Sequence, residues 1–388
     1  MLRRLLIGLT IGFYVLCAGA ASPEATVTPA PPDKLIPLLK ADRFEEVSRL
    51  LRESHDRYEA DRRTEDEFHR LASEFSRADW QITGPLQRWV KKSPNDPFAH
   101  LALGIHFAAT GWSVRGSDWA SNTNERQFTL MRKWFDSAKA GLLRAIELNP
   151  RLVEPYVYLI DIDMTEGSRN TSKLFNAALK INPSSLIARE AMLQSLLPRW
   201  GGSYEAMARL LEASQRYYKQ MPRLELLESK LYADAGSVYF AQRNLPMAEK
   251  MFRQALAKGD FWFANNEYGH FLYRNGKYEE AAEQFTKVID ARPAYMHGWR
   301  MRANANIATR RLDEAYRDAS RAIQIEPDDE WALAARGGVY FARGDLELAL
   351  QDYKKALNTS PNDFFRERTI TIGNQLQESK NRSQKLQK

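Results

Sequence analysis

Histidines, cysteines and carboxylates are the residues of this chain whose side chains most often do chemistry in proteins. The six histidines are scattered over 388 residues, and none stands in the His-Glu-x-x-His spacing that holds zinc. The sequence also lacks the glycine-rich loops that bind phosphates and the Gly-x-Ser-x-Gly turn of serine hydrolases. Asp161 and Asp163 are two residues apart, so on a helix they point to different sides. The sequence therefore predicts no catalytic centre, no metal site and no cofactor.

The first 22 residues have the features of an export signal. Arg3 and Arg4 precede an apolar run that ends at Cys17, and the small residues 18–21 follow as a cleavage site. Cleavage after Ala20 removes the only cysteine, so the mature chain has no thiol for a disulfide or a metal. Lipid modification of Cys17 is disfavoured because Leu16 precedes it. We expect a periplasmic or secreted protein, with an uncleaved N-terminal membrane anchor as the alternative.

The charge balance does not call for a nucleic-acid partner. Lys and Arg number 56 against 49 Asp and Glu, which gives a net charge of +7. Two positive charges lie in the predicted signal and a net three lie in the last fifteen residues, which leaves about +2 for the folded body. We therefore expect no binding of nucleic acid. The sequence leaves the oligomeric state open.

A repeat of 34 residues occupies the C-terminal third. Two sets of residues recur at this interval, namely Pro293, Pro327 and Pro361, and Ala281, Ala315 and Ala349. Each proline ends a helix, because the residue before it avoids the α region. The small residues allow paired helices to approach closely, and Gly276 and Gly344 supply permissive turns between them. In this pattern the chain resembles the tetratricopeptide repeat family.

The resemblance implies an all-α fold, a right-handed helical solenoid of about six to seven helix pairs with a C-terminal capping helix. Degenerate repeats extend upstream, and one has an insertion because Pro94 and Pro150 are too far apart for a single unit. The predicted segments are a signal peptide (1–20), an Ala/Pro-rich linker (21–32), an N-terminal helical region (33–96), degenerate repeats (97–228) with the insertion at about 112–134, regular repeats (229–361), and a capping helix with a basic polar tail (362–388).

Three further sequence stretches carry a second resemblance. They are Leu103-Gly104-Ile105-His106-Phe107, Trp112-Ser113-Val114-Arg115-Gly116 and Leu197-Pro198-Arg199-Trp200-Gly201-Gly202-Ser203. In these stretches the chain resembles a family of uncharacterised bacterial proteins that join a domain of unknown function to tetratricopeptide repeats. The resemblance covers the N-terminal two thirds, Ile36 to Pro293. It implies no known activity.

The repeat resemblance also implies a binding groove. In this repeat the first helix of each unit lines the concave side, with positions 2, 5, 9 and 12 pointing inward. The candidate groove residues are Phe263, Asn266, His270, Tyr273, His297, Arg300, Asn304 and Trp331. This mixture of aromatic and hydrogen-bonding side chains suits an extended peptide or a partner helix, and a merely solvated inner face is the alternative. Some family members hold a C-terminal carboxylate with a basic residue and two asparagines. Arg300 and Asn304 match the first part of that pattern, but Ala335 stands where the second asparagine belongs.

A second candidate site lies where the insertion meets an inter-helix turn. Its residues are Trp112, Arg115, Arg199 and Trp200, which could recognise a ring or an acidic group, or could simply pack in the core. We expect a non-catalytic, exported adaptor that holds protein or peptide partners in its groove, with association to the cell envelope. The alternatives are an envelope enzyme, such as a hydrolase, with its site between the insertion and the Arg199–Gly202 turn, and self-assembly through the end caps.

Overall fold

The computed structural model describes residues 33–116 and 123–386, and all regular structure in these ranges is helical. The predicted all-α solenoid is confirmed. The predicted signal peptide and linker lie outside the described residues. No helix in the part of the chain that is described has the length and apolar character needed to cross a membrane.

Four helices form the N-terminal region. They are α1 (Leu35–Lys40), α2 (Phe44–Ala60), α3 (Glu65–Ala72) and α4 (Trp80–Lys92). Their apolar faces meet in one core, in which Leu35, Leu39 and Trp89 are completely buried. This core continues without a break into the helices that follow, as far as Ala188. Burial of that continuous apolar surface fixes the N-terminal region on the start of the solenoid.

Seven helix pairs follow in the described part of the chain. Their first helices are α5 (Pro97–Arg115), α7 (Glu154–Glu166), α9 (Leu186–Ser195), α11 (Glu228–Ala241), α13 (Trp262–Arg274), α15 (Met296–Ala308) and α17 (Glu330–Arg343). Their second helices are α6 (Glu125–Leu148), α8 (Thr171–Ile181), α10 (Tyr204–Ser214), α12 (Leu245–Ala257), α14 (Tyr278–Ala291), α16 (Leu312–Ile325) and α18 (Leu346–Thr359). A final helix, α19 (Asp363–Leu386), caps the last pair by burying Phe365 and Ile372 against it.

Small residues at the helix crossings bring the paired helices together. A Cβ atom added to Gly337 would lie 3.0 Å from the ring of Tyr353, and one added to Gly269 would lie 2.9 Å from Phe285. These contacts are tighter than ordinary van der Waals contact, so the crossings leave no room for a larger side chain. The large rings of the second helix occupy the space that the glycines leave free.

The turns between paired helices use the left-handed backbone conformation. Gly276 has φ 76° and Gly344 has φ 89°, as the sequence predicts. Arg310 occupies the equivalent position of the intervening repeat and adopts φ 63° although it carries a side chain. This conformation costs a non-glycine residue about 1 kcal/mol, which the packing on either side must outweigh.

The described residues of the predicted insertion at 112–134 extend the two flanking helices. Helix α5 continues to Arg115, and α6 begins at Glu125, so most of the extra residues lengthen this one helix pair. Helices α5 and α6 keep their apolar contacts over this stretch. Trp112 packs edge-on against Phe135, and Trp134 packs against Phe107. Trp119 lies outside the described residues.

Buried polar contacts tie the N-terminal region to later helices. The Glu65 carboxylate accepts hydrogen bonds from the backbone N–H groups of Leu186 and Ile187, at 2.6 and 3.2 Å, and from Asn182 Nδ2 at 3.0 Å. Glu65 is 1 % exposed and sits at the N-terminus of α9, where unpaired N–H groups favour an acceptor. Residues 121 positions apart are joined in this way.

Ion pairs reach still farther along the chain. Asp33 accepts from Arg321 at 2.9 Å over 288 positions, and Asp66 accepts from Arg292 at 2.9 Å over 226 positions. Asp66 also pairs with Arg223 at 3.0 Å. We call Asp33, Asp66, Arg223, Arg292 and Arg321 the ionic clasp. It connects the N-terminal region directly to the pairs α13–α14 and α15–α16, so the described array curls back toward its beginning.

Candidate functional site

The first helices α13, α15 and α17 stand side by side and carry the predicted groove residues. Six of these are partly exposed, namely His270, Tyr273, His297, Arg300, Asn304 and Trp331. Phe263 and Asn266 are buried, and so do not line an open surface. The groove therefore begins about one helical turn later than the sequence predicts.

A contact from the preceding repeat explains the burial of Phe263. Lys230 on α11 places its Nζ 4.0 Å from the centroid of the Phe263 ring, so this ring is covered by an ammonium group. Asn266 Nδ2 donates to Glu267 Oε1 of the same helix at 3.1 Å, while its Oδ1 is buried without a hydrogen-bond partner. Phe263 thus serves the contact between α11 and α13.

Two histidines and an arginine meet between α13 and α15. The Nε2 atoms of His270 and His297 are 2.7 Å apart, and Arg300 Nη2 donates to Nδ1 of His297. Because Arg300 is always a donor, His297 accepts at Nδ1, carries its proton on Nε2 and donates to His270. Burial, together with the charge of Arg300, lowers the pKa of His270 to about 4 and the pKa of His297 well below its usual range. Both imidazoles are therefore neutral at pH 7.

Arg300 keeps unused donor capacity in this cluster. Its Nε is buried and has no hydrogen-bond partner. Burial raises the pKa of Glu326 to about 7 and also raises the pKa of Asp329, while the charge of Arg300 acts in the opposite direction on both carboxyls. The guanidinium thus contacts a neutral imidazole, and its charge acts on two carboxyls whose pKa values burial raises. This arrangement favours a further acceptor, such as a carboxylate or a main-chain carbonyl.

The remaining groove residues lie toward the cap. Asn304 Nδ2 makes only a 4.0 Å contact to Met301 Sδ, so its amide is available for other partners. Trp331 stacks on Phe364 of α19, with ring centroids 5.6 Å apart. The aromatic end of the groove is therefore already occupied by the capping helix.

The two-asparagine pattern of the family is not completed here. Ala335 is buried between Ala303 and Ala319, where α15, α16 and α17 meet. No amide can reach the groove from that position. Arg300 and Asn304 therefore act, if they bind a carboxylate, without the second asparagine.

The second predicted site is brought together by the fold. Trp112 and Trp200 meet edge to face with centroids 6.4 Å apart, and Trp112 Nε1 donates to Asp161 at 2.7 Å. The guanidinium of Arg115 lies 5.7 Å from the Trp112 ring. Arg199, in contrast, is paired with Asp234 and points its charge into that contact. Three of the four predicted side chains thus meet at Trp112, which alone of them contacts Asp161.

Sequence reasoning missed Lys230, which lies between the two sites. It is 1 % exposed and forms no ion pair or hydrogen bond within residues 33–116 and 123–386. Burial lowers the pKa of Lys230 to about 8 and raises the pKa of Asp161 to about 6. Lys230 stands at the same helix position as Phe263, shifted by one residue, and that shift in repeat phase was the available signal.

A polar network continues from Lys230 toward the ionic clasp. Trp262 Nε1 donates to Glu190 at 2.5 Å, and Arg292 donates to the other oxygen of Glu190 at 3.0 Å. Nearby, His69 Nδ1 lies 2.6 Å from Glu154. Despite these clusters, no set of three His, Cys, Asp or Glu side chains in the described ranges is arranged to hold a metal ion.

Comparison with protein families agrees with the two parts of the molecule. A family described as "Domain of unknown function (DUF4034)" matches residues 33–167 and 159–218. The tetratricopeptide repeat matches residues 233–295, 269–330 and 332–363. Tetratricopeptide repeats thus lie within residues 233–363 of this chain. The match to the domain of unknown function ends at residue 218, whereas the sequence resemblance predicts an end at Pro293. The matches to the tetratricopeptide repeat begin at residue 233.

Relatives match this chain over about a hundred residues. It is 34 % identical to mouse RNA polymerase II-associated protein 3 over 117 residues, which are 30 % of this chain and 18 % of the relative. It is 29 % identical to mouse Sperm-associated antigen 1 over 112 residues, 28 % of this chain and 12 % of the relative. Hsp70-Hsp90 organizing protein 1 of Glycine max is 27 % identical over 97 residues, 25 % of this chain and 17 % of the relative. The chain thus spans less than a fifth of these relatives.

Two solved structures are also similar to parts of this chain. The first repeat domain of Spaghetti bound to an HSP90 peptide is 29 % identical, covers 30 % of this chain and 92 % of that chain, and has a TM-score of 0.29. Yeast Tom70 is 14 % identical, covers 83 % of this chain and 64 % of that chain, and has a TM-score of 0.43.

Proposed function

We propose that this protein is a non-catalytic adaptor that holds a protein or peptide partner along α13, α15 and α17. The observation that carries the proposal is Arg300. Its guanidinium is held by His297, and its buried Nε has no acceptor. A buried charged donor without an acceptor is costly, so a carbonyl or carboxylate from a partner would be bound favourably.

The surroundings of Arg300 suit an extended segment of a protein. Asn304 lies one helical turn farther along the same helix with its amide free of strong contacts. His270 and Tyr273 continue the partly exposed face on the neighbouring helix. Hydrogen-bonding groups spaced along adjacent helices match the regularly spaced polar groups of a peptide main chain. The sequence relationship to the repeats of the Hsp70-Hsp90 organizing protein supports a role in holding proteins.

Site-specific photo-crosslinking tests the adaptor proposal. A photo-reactive amino acid is placed at Asn304 in the groove or at Arg317, an exposed residue on the second helix α16. We expect cross-linked partners from position 304 and not from 317, and we expect Arg300→Gln to weaken them. Equal cross-linking from both positions would contradict a groove-bound partner. Asn304→Ala is a cleaner binding variant than Arg300→Ala, because Arg300 also offsets the burial of nearby carboxyls.

Export to the periplasm or secretion belongs to the same proposal. It is supported by residues 1–21, with their charged start, apolar run and small-residue end. N-terminal sequencing of the protein from cell fractions tests it. A start at Ala21 outside the cytoplasm is expected, an intact N-terminus in the membrane fraction would indicate the anchored alternative, and an intact cytoplasmic protein would refute export.

A second candidate function is catalysis at Asp161 and Lys230. Their pKa values, about 6 and about 8, are displaced toward neutrality in opposite directions, and Trp112 fixes the carboxyl. Such pairs of displaced groups occur at sites of proton transfer. Screening the full chain against chromogenic ester and glycoside substrates tests this candidate. Turnover that is abolished in both Lys230→Met and Asp161→Asn would favour an enzyme over the adaptor.

A further inference from the structure

The contact between the N-terminal region and the repeats α13–α16 is made by charges. Asp33 and Asp66 reach Arg321 and Arg292, residues that lie 288 and 226 positions later in the chain. The apolar core of the N-terminal region, in contrast, ends at Ala188. A second cluster runs from Leu186 to Ala264, so apolar contacts follow the solenoid from α9 to α13. The cluster that contains α1–α4 is separate from the clusters that contain α14–α16. The ionic clasp therefore closes the array without an apolar core of its own.

The clasp arginines hold these carboxylates tightly and remain at the rim. Burial alone would raise the pKa of Asp66, but the charges of Arg292 and Arg223 outweigh it and hold that pKa below its usual range. Two arginines lower the pKa of Asp33 in the same way, namely Arg321 and Arg77. Arg292 is 11 % exposed and Arg321 is 15 % exposed, so a small part of each side chain reaches the surface.

Three arginines thus mark one edge of the array with positive charge. Arg223, Arg292 and Arg321 lie just before α11, just before α15 and in α16. Each presents a planar fork of donors, which matches carboxylates in particular. Asp33 and Asp66 fill these forks now, together with Glu190 at Arg292. Another chain with carboxylates at suitable spacing would compete with the aspartates, because each guanidinium would stay paired, and Asp33 and Asp66 would keep Arg77 and Arg70 as partners.

We propose that Arg223, Arg292 and Arg321 form a docking surface for an acidic segment of a partner protein, which displaces Asp33 and Asp66 and lets the array uncurl. The inference rests on the proposed function, because it concerns access to the groove of an adaptor. The ionic clasp is then the closed state of a two-state equilibrium. An acidic partner binds the open state better and shifts the equilibrium toward it. High salt also opens the array, since screening weakens ion pairs that water can reach.

The test uses the full-length protein and poly-L-glutamate as the acidic probe, with poly-L-glutamine as the neutral one. The carboxylate variant combines Asp33→Asn with Asp66→Asn and frees the arginines. The arginine variant combines Arg292→Gln with Arg321→Gln, and Arg317→Gln is the matched control on the outer helix. Fluorescence anisotropy at low salt gives the affinity, and small-angle scattering gives the radius of gyration. Circular dichroism checks that each variant keeps its helices.

We expect the carboxylate variant to bind poly-L-glutamate about tenfold more tightly than the native chain, because it no longer has an internal competitor. The arginine variant should also have a larger radius of gyration, but it should no longer bind poly-L-glutamate. The control variant should match the native chain in both measurements. An unchanged radius of gyration in both variants, or equal probe affinity in the native chain and the carboxylate variant, would overturn the proposal. Equal binding of poly-L-glutamine would overturn it too.

A covalently closed form of the protein gives a second test, which does not depend on whether the charge variants fold correctly. Asp33→Cys and Arg321→Cys are joined by a short bis-maleimide linker in a Cys17→Ser background. The cross-linked protein should bind poly-L-glutamate more weakly than the same protein before cross-linking. Equal affinity before and after cross-linking would contradict the proposed opening of the ionic clasp. Asn304→Ala separates the two proposals, since it should weaken the groove partner and leave poly-L-glutamate binding unchanged. Failure of cross-linking at position 304 with an intact probe response would refute the groove alone.

Discussion

The two ends of this helical array are stabilised in different ways. From α1 to α9 one apolar core joins residues far apart in sequence, and buried polar contacts such as Tyr58–Asn182 span 124 positions. From α11 to α18 the clusters are smaller, and the ion pairs Arg302–Asp318 and Arg336–Asp352 both span 16 positions within one helix pair. Nearest-neighbour contacts therefore dominate the regular repeats, whereas the N-terminal region depends on closure of long loops.

This difference predicts that a destabilising mutation affects many helices in the N-terminal region but only one helix pair in the repeats. Perturbing a long-range contact should unfold several helices together. Perturbing one repeat should loosen that helix pair and its cap first. Hydrogen exchange of individual segments distinguishes the two responses.

The largest effect is expected from Glu65→Ala. The change removes the carboxylate that accepts hydrogen bonds from two backbone N–H groups at the start of α9 and from Asn182 Nδ2. All of these groups are buried. Leaving these donors unpaired should cost about 3 kcal/mol in the free energy of unfolding. Hydrogen exchange should show lost protection in α3 and α9 together. Glu67→Ala, on the exposed side of α3, is the control, and intact protection of α9 in Glu65→Ala would contradict the long-range role.

Gly337→Leu should have a smaller and local effect. The Cβ position is already 3.0 Å from the Tyr353 ring, so a leucine side chain would force α17 and α18 apart, at a cost of about 2 kcal/mol. Exchange should accelerate in α17, α18 and α19, with the N-terminal region unchanged. Gly373→Leu is the matched control, because a Cβ there meets nothing within 4 Å. Unchanged protection of α17 and α18 would show that the crossing is assigned wrongly.

The histidine pair in the groove makes the repeats sensitive to acid. The pKa of His270 falls from 6.5 to about 4 in the folded protein because burial and then Arg300 disfavour its charged form. Between these values the unfolded chain binds more protons, so stability rises with pH and is lost as pH falls from 6.5 toward 4. The melting temperature of the repeats should fall over this range, and less in His270→Gln with His297→Gln. If the melting temperature falls equally steeply with pH in the variant and in the native protein, the histidine pair is not the cause of the acid sensitivity.

Arg310→Gly should have the smallest effect and a favourable one. Arg310 holds φ 63° at the turn where its neighbours in the repeat series use Gly276 and Gly344. Glycine removes the steric cost of that conformation, for a gain of about 0.5 kcal/mol in the free energy of unfolding. Thermal unfolding measures the gain. Gly344→Ala is the opposite change and should destabilise, and a loss of stability in Arg310→Gly would show that the arginine side chain contributes contacts of its own.

Much of the repeat region could be predicted from the sequence because its signals are local. Gly276 and Gly344 adopt the predicted left-handed turns, and Phe365 and Ile372 are buried in the predicted cap. The prediction of Phe263 and Asn266 as open groove positions was wrong, because both side chains are buried, Phe263 beneath Lys230 of the preceding repeat. The one-residue shift between those repeats conceals the pairing of Lys230 with Phe263.

The remaining features have no local signal at all. The sequence predicts an insertion at about 112–134, but it does not show that Trp112 packs against Phe135 as the flanking helices lengthen. Asp33 and Arg321 look like ordinary surface charges until the array curls and brings them together. The same is true of Glu65 and the start of α9.

The sequence alone determines the helices, their pairing and the end of each repeat in this protein. Prolines, glycines and apolar periodicity act within a few turns of the chain, and their effect does not depend on distant residues. Only the tertiary structure decides which charges meet and which groove positions stay open. Those outcomes depend on the curvature summed over many helix pairs, and small rotations at each crossing add up to bring Asp33 against Arg321, 288 positions away.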